Sequence, residues 1–94
     1  MTPRWASSSH KHGISRVDQI YVMLHPTYQV RLDSEKFDDG DVWLYIGHPH
    51  AQTEREVEVL VNVYADGRAA LVFHAMELGP RLRKYREEHP DANG

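Results

Sequence analysis

The alternation between Arg55 and Tyr64 constrains this chain more than any other feature. Val57, Val59, Val61 and Val63 fall on one side of the repeat, and Glu58, Leu60, Asn62 and Tyr64 on the other, so a strand here presents a valine stripe to one face. Asp66-Gly67 follows, a pair suited to the positive backbone angles of a tight hairpin, and Arg68 to Met76 supplies the returning strand. A hairpin alone cannot bury such a stripe, so the rest of the chain must provide more strands and a covering helix.

Tyr28 to Leu32 and Val42 to Gly47 read as two further strands, with the acidic stretch Asp33 to Asp41 as a loop between them. Before them, Ser15 is a helix cap and Asp18 complements the positive end of the helix dipole. Val17, Ile20, Tyr21 and Leu24 recur at helical spacing, which predicts the buried stripe of that helix, and His25-Pro26 ends it. Ser7 to His12 suits one short turn closed by Gly13. After Gly79-Pro80, the Leu82/Tyr85 spacing predicts a last helix over Arg81 to Glu88. The expected fold is α+β: N-terminal helices, a four-stranded antiparallel meander and a short C-terminal helix, with the helices on one face of the sheet over the valines.

A chain of 94 residues has room for one such domain. Its ordered core is expected over about 11–88, with flexible tails at 1–6 and 89–94. With no cysteine there is no disulfide framework and no thiolate metal site. Neither a signal peptide nor a membrane span is visible, so a cytoplasmic protein without a membrane partner is expected.

Eleven basic against 14 acidic residues leave a net charge of −3, so any RNA contact must be local. The charge is uneven: residues 33–41 hold five acids and one lysine, whereas Arg81, Arg83, Lys84 and Arg86 place four cations in six residues. That run reads either as a solvated helix face or as a phosphate-binding patch.

The chain has no glycine-rich phosphate loop, no H-E-x-x-H, no G-x-S-x-G and no thiol nucleophile. His10-x-His12 and His48-x-His50 have metal-pair spacing but lack further ligands, so no metal and no cofactor are expected. Metal-free RNA cleavage remains: a base for the ribose 2′-hydroxyl, an acid for the leaving 5′-oxygen, and cations for the charge that develops on phosphorus. His12 and His74 are residues of the type that exchanges a proton near neutrality; Tyr85 is a candidate proton donor or stacking partner. Arg55, Arg81, Arg83, Lys84 and Arg86 are candidate RNA-binding cations. If Leu71 and Phe73 face the core, Val72 and His74 face the other surface beside Trp43 and Tyr45, candidate base-stacking residues. Plainer readings stand beside these: His74 as a hydrogen-bonded sheet residue, Trp43 and Tyr45 as a second apolar layer, His12 as a local cap, Arg55 as an acid-paired sheet residue.

K-H-G-I-S at 11–15, L-Y-I-G at 44–47, E-V-E-V-L-V at 56–61, V-F-H-A-M at 72–76 and R-x-R-K-Y at 81–85, in this order, resemble small actinobacterial-type relatives of the BrnT toxins. Arg4-Trp5 is similar to the Arg-aromatic start of that group, and the resemblance covers most of the chain. It implies a compact RelE-like fold and the toxin of a type II toxin–antitoxin pair. Such a toxin is a metal-independent endoribonuclease that cleaves mRNA, at the ribosome or free, and stops translation until a cognate antitoxin binds; DNA is reached only through the antitoxin. Lys11, His12, His74, Arg83, Lys84 and Tyr85 are the positions the resemblance marks. The chain departs from the group in having H-A-M where an arginine-bearing segment is usual, and in its net acidity. Rival expectations are a non-catalytic protein-binding module and a subunit that self-associates through an edge strand or the Trp43/Tyr45 surface.

Overall fold

The computed structural model of the protein describes residues 3–90. In chain order it contains β1 (Arg4–Trp5), a 3-10 turn (Ser7–His10), α1 (Arg16–Leu24), β2 (Tyr28–Phe37), β3 (Gly40–Gly47), β4 (Val57–Val63), β5 (Leu71–Glu77) and α2 (Pro80–Glu88). Among the described residues five strands form one sheet in the order β1-β5-β4-β3-β2. The class is α+β, and β2 to β5 form the expected antiparallel meander, but β1 adds a parallel strand at the β5 edge. The amide of Arg4 donates to the Ala70 carbonyl at 2.7 Å and that of Ala6 to the Val72 carbonyl at 2.9 Å, so the ladder groups of β5 order residues expected in a tail. In the other expected tail, His89 is held as well, its carbonyl accepting from the Tyr28 hydroxyl at 2.8 Å and its amide donating to the Tyr85 carbonyl at 3.0 Å; residues 1–2 and 91–94 lie outside the described residues. Among the described residues no helix is long and apolar enough to cross a membrane.

The stretch expected as an acidic loop is mostly strand. β2 runs on to Phe37, with a register irregularity between Arg31 and Lys36, and turns into β3 through Asp38 and Asp39 at φ 49° and 61°. Aspartate tolerates this left-handed geometry because its short carboxylate can bond locally, which makes a two-residue hairpin without Asn-Gly. Gly40 has a packing reason: a Cβ there would lie 2.5 Å from Asn62 Oδ1.

The helices cover opposite faces of the sheet, not one face as expected. On one side Ile14 and Val22 pack on Val57, Val59, Val61, Val72 and Ala75; on the other, Leu78 and Leu82 pack on Leu44, Ile46, Leu60 and the β2 residues Tyr28, Val30 and Leu32. Both sides of β4 carry side chains that need cover, so one layer of helices does not suffice.

α1 keeps its Ser15 cap, whose hydroxyl accepts the Asp18 amide at 3.2 Å, but its buried residues are Gln19 and Val22. Val17 and Leu24 of the expected buried stripe are 75% and 70% exposed. Gln19 decides the orientation: its amide nitrogen donates to the carbonyls of Ser9 and Ile14, both at 2.9 Å, pinning the preceding loop to the helix from inside. Helical spacing located an apolar stripe but not the side of the helix that meets the sheet. Accordingly, Val22→Ala is expected to destabilise the protein by about 2 kcal/mol and Val17→Ala by no more than about 0.5 kcal/mol, measured by urea denaturation; equal losses would contradict this packing.

Candidate active site

Strand β4 directs Glu58, Leu60 and Asn62 toward the α2 side of the sheet, and β5 meets it there with an irregularity. Leu60 pairs with His74 but Val61 with Val72, so Phe73 is one residue too many for a regular ladder. A bulge of this kind breaks the alternation. Phe73 packs with the α2-side cluster and His74 reaches Glu58 on that same side, while Val72 and Ala75 join the valines under α1. The expectation that His74 shares a surface with Trp43 and Tyr45 is thereby overturned. Trp43 pairs with Val61 and Tyr45 with Val59, which sets both on the α1 face.

A cleft of about 500 Å³ opens between this side of the sheet and the start of α2. Leu60, Met76 and Leu82 contribute apolar surface, and Phe37 and Phe73 lie against each other with ring centroids 4.1 Å apart and planes within 2°. Its polar side chains are Ser8, Glu58, His74 and Arg81.

Glu58 is 5% exposed, and both of its oxygens are engaged. Oε2 lies 2.8 Å from His74 Nε2, and Oε1 accepts the amide of Gly79, the residue that caps α2, at 2.8 Å. His12 completes the group: its ring meets the His74 ring edge-on, with centroids 5.6 Å apart. The 3-10 turn brings it there. Ser8 Oγ donates to the Phe73 carbonyl at 2.5 Å, the Lys11 amide to Ser8 at 3.3 Å, and Gly13, at φ 77°, redirects the chain into α1.

The candidate cations are dispersed. Arg81 lines the cleft and donates to Glu35 at 2.6 Å. Arg86 grips Glu56 at 2.6 and 3.3 Å, and Arg55 holds Glu77 through Nε at 2.9 Å and through a second, closer contact. Arg83 makes a long contact, 3.4 Å, to the Leu78 carbonyl. Lys11 and Lys84 are exposed, and among the described residues neither has an ion pair. Tyr85 is half-buried against the core cluster that contains Leu82, with its ring stacked on His89 at 4.1 Å, and does not line the cleft. Trp43 and Tyr45 are half-buried on the opposite face, where burial pushes the Tyr45 phenol up.

Of the sequence candidates, then, His74 and Arg81 line the cleft, and His12, which does not line it, meets the His74 ring, with Lys11 next to His12 in the chain. Glu58, Phe37 and Phe73 were missed as site residues. Glu58 had a readable signal, a carboxylate in the middle of a strand of apolar residues, which demands a partner wherever that strand is covered. Among the described residues no three histidine or acidic side chains converge as metal ligands, and His48 Nδ1 lies 2.7 Å from the Arg55 carbonyl. Fold and site together define a small α+β domain with a cleft built on a buried carboxylate–imidazole pair. Comparison with family models, curated proteins and solved structures finds no match to this chain.

The Glu56–Arg86 pair beside α2 makes a pH-dependent contribution with a defined sign. Arg86 bonding holds the Glu56 carboxyl below its ordinary value of 4.5 despite partial burial. The stabilisation is therefore complete above that value and is lost as pH falls through the lower folded value. In urea denaturation, wild type should exceed Glu56→Gln by less than about 1 kcal/mol at pH 7, since the pair is partly solvated. The difference should hold down to about pH 5 and close in more acid solution; a difference that widens with acid would contradict the assignment.

Proposed function

We propose that the protein is a metal-independent endoribonuclease of BrnT-related, RelE-like type, acting as the toxin of a type II toxin–antitoxin pair on mRNA in the cytoplasm. The observation that carries this reading is the contact between two imidazoles, His74 in the wall of a cleft and His12 against it, with a buried carboxylate behind His74.

In this reading His74 takes the proton of a ribose 2′-hydroxyl, O2′ attacks phosphorus, the bond from phosphorus to O5′ breaks, and His12 gives the leaving oxygen its proton. The two rings are close enough for one phosphodiester to touch a nitrogen of each. Lys11, adjacent to His12, and Arg81 balance the charge that develops on the phosphate. Arg81 is available because its pair with Glu35 is exposed and weakly held, so a phosphate can displace the carboxylate. A base meets the Phe37 and Phe73 rings, not Trp43 and Tyr45. A cognate antitoxin, itself the DNA-binding partner, neutralises the toxin.

One observation favours a second reading, a non-catalytic protein-binding module: Val17, Ile20 and Leu24 stand exposed along α1, while Arg55, Arg81 and Arg86 are occupied by carboxylates. Tightly induced expression separates the two. The ribonuclease reading predicts growth arrest with loss of mRNA. His74→Ala should lower cleavage at least about 100-fold and restore growth, Arg81→Ala should weaken arrest, and Arg83→Ala, outside the cleft, should act less than Arg81→Ala. Normal growth with intact mRNA at the same protein level would overturn this reading in favour of the binding module.

A further inference from the structure

The cleft contains a carboxylate that the proposed proton transfers do not use. We infer that Glu58 is the positioning residue of this site: it holds the neutral His74 imidazole with its proton on Nε2, leaving Nδ1 as the atom that accepts the substrate proton. The inference rests on the ribonuclease reading and adds to it the atom that acts and the residue that selects it.

An ionised carboxylate only accepts hydrogen bonds. Oε1 is already fixed by the Gly79 amide at the first turn of α2, whose dipole favours a negative charge there. The carboxylate plane is therefore set, and Oε2 can be met at 2.8 Å only by a nitrogen that carries hydrogen, so His74 Nε2 is the protonated one. Among the described residues Nδ1 of His74 has no hydrogen-bond partner. Rotation of the ring is restrained by the same bond and by the edge contact with His12. Glu58 thus ties three elements together, β4, β5 and the start of α2, and its own burial leaves it little freedom.

Glutamine is the informative replacement because it keeps the shape and reverses one bond. Its oxygen must face the Gly79 amide, so its nitrogen faces His74 and donates. His74 Nε2 then becomes an acceptor and the neutral ring carries its proton on Nδ1, where it can no longer accept one. The test is nitrogen-15 NMR of the imidazoles at alkaline pH together with cleavage of a short single-stranded RNA by wild type and Glu58→Gln. Wild type should show the Nε2–H tautomer of His74. Glu58→Gln should show the Nδ1–H tautomer, with kcat lowered at least about 100-fold and KM nearly unchanged. The wild-type tautomer needs no variant to fold, and finding Nδ1–H there would overturn the inference; so would a folded Glu58→Gln protein that cleaves RNA at the wild-type rate. If both tautomers are as expected but wild type cleaves no RNA, the positioning by Glu58 stands and the ribonuclease reading falls.

Discussion

From Val57 to Asn62 every side chain of β4 is buried, because Ile14 and α1 lie over one face of the sheet and Leu78 and α2 over the other. Two of those side chains are polar, and a polar group shut away from water must find partners or cost stability. Asn62 donates to the Phe37 carbonyl and crowds Gly40, which clamps the β2–β3 hairpin to the centre of the sheet. Glu58 accepts from Gly79 and meets His74, which clamps the start of α2 and the bulged part of β5 to the same strand. The hairpin that brings Phe37 to the cleft and the helix that brings Arg81 are thus both fastened to β4 through its polar residues.

The rest of the site follows from how the N-terminal segment is held. β1 lies along the free edge of β5, the Ser8 hydroxyl reaches the Phe73 carbonyl, and Gln19 draws in the Ser9 and Ile14 carbonyls from behind. Those contacts carry the Lys11–His12 segment to β5 and place its imidazole against His74. Net negative charge is compatible with this arrangement: most of the arginines are neutralised by neighbouring carboxylates, and the cations left for a phosphate are few and local.

The sequence disclosed the β4 stripe, the Asp66-Gly67 turn, the Ser15 cap and the helix after Gly79-Pro80, since each is a local preference that the packing leaves intact. What it hid has physical causes of one kind. Gln19 rather than the Val17/Leu24 stripe faces inward because backbone carbonyls from an earlier loop need its amide. Residues 33–37 belong to a strand despite their acidity because β2 is an edge strand, where charged side chains reach water, and Lys36 and Phe37 pair again with β3 after the irregularity. His74 changes face because one extra residue in β5 breaks the alternation, and a bulge is not visible in a run of apolar residues. Of the site, the two histidines and Arg81 were legible as residue types. Their meeting depended on that bulge, and Glu58 was legible only as a charge that needed an explanation.

Acid–base chemistry by two imidazoles leaves its record in the ends of a cleaved RNA. Purified protein, incubated with single-stranded RNA in excess chelator, should produce fragments ending in a 2′,3′-cyclic phosphate, or the 3′-phosphate left when water opens it, and beginning with a 5′-hydroxyl, because attack by O2′ expels O5′ as the hydroxyl. Fragments with 5′-phosphates, or cleavage that stops when divalent cations are removed, would contradict a pair of imidazoles as the acid and base.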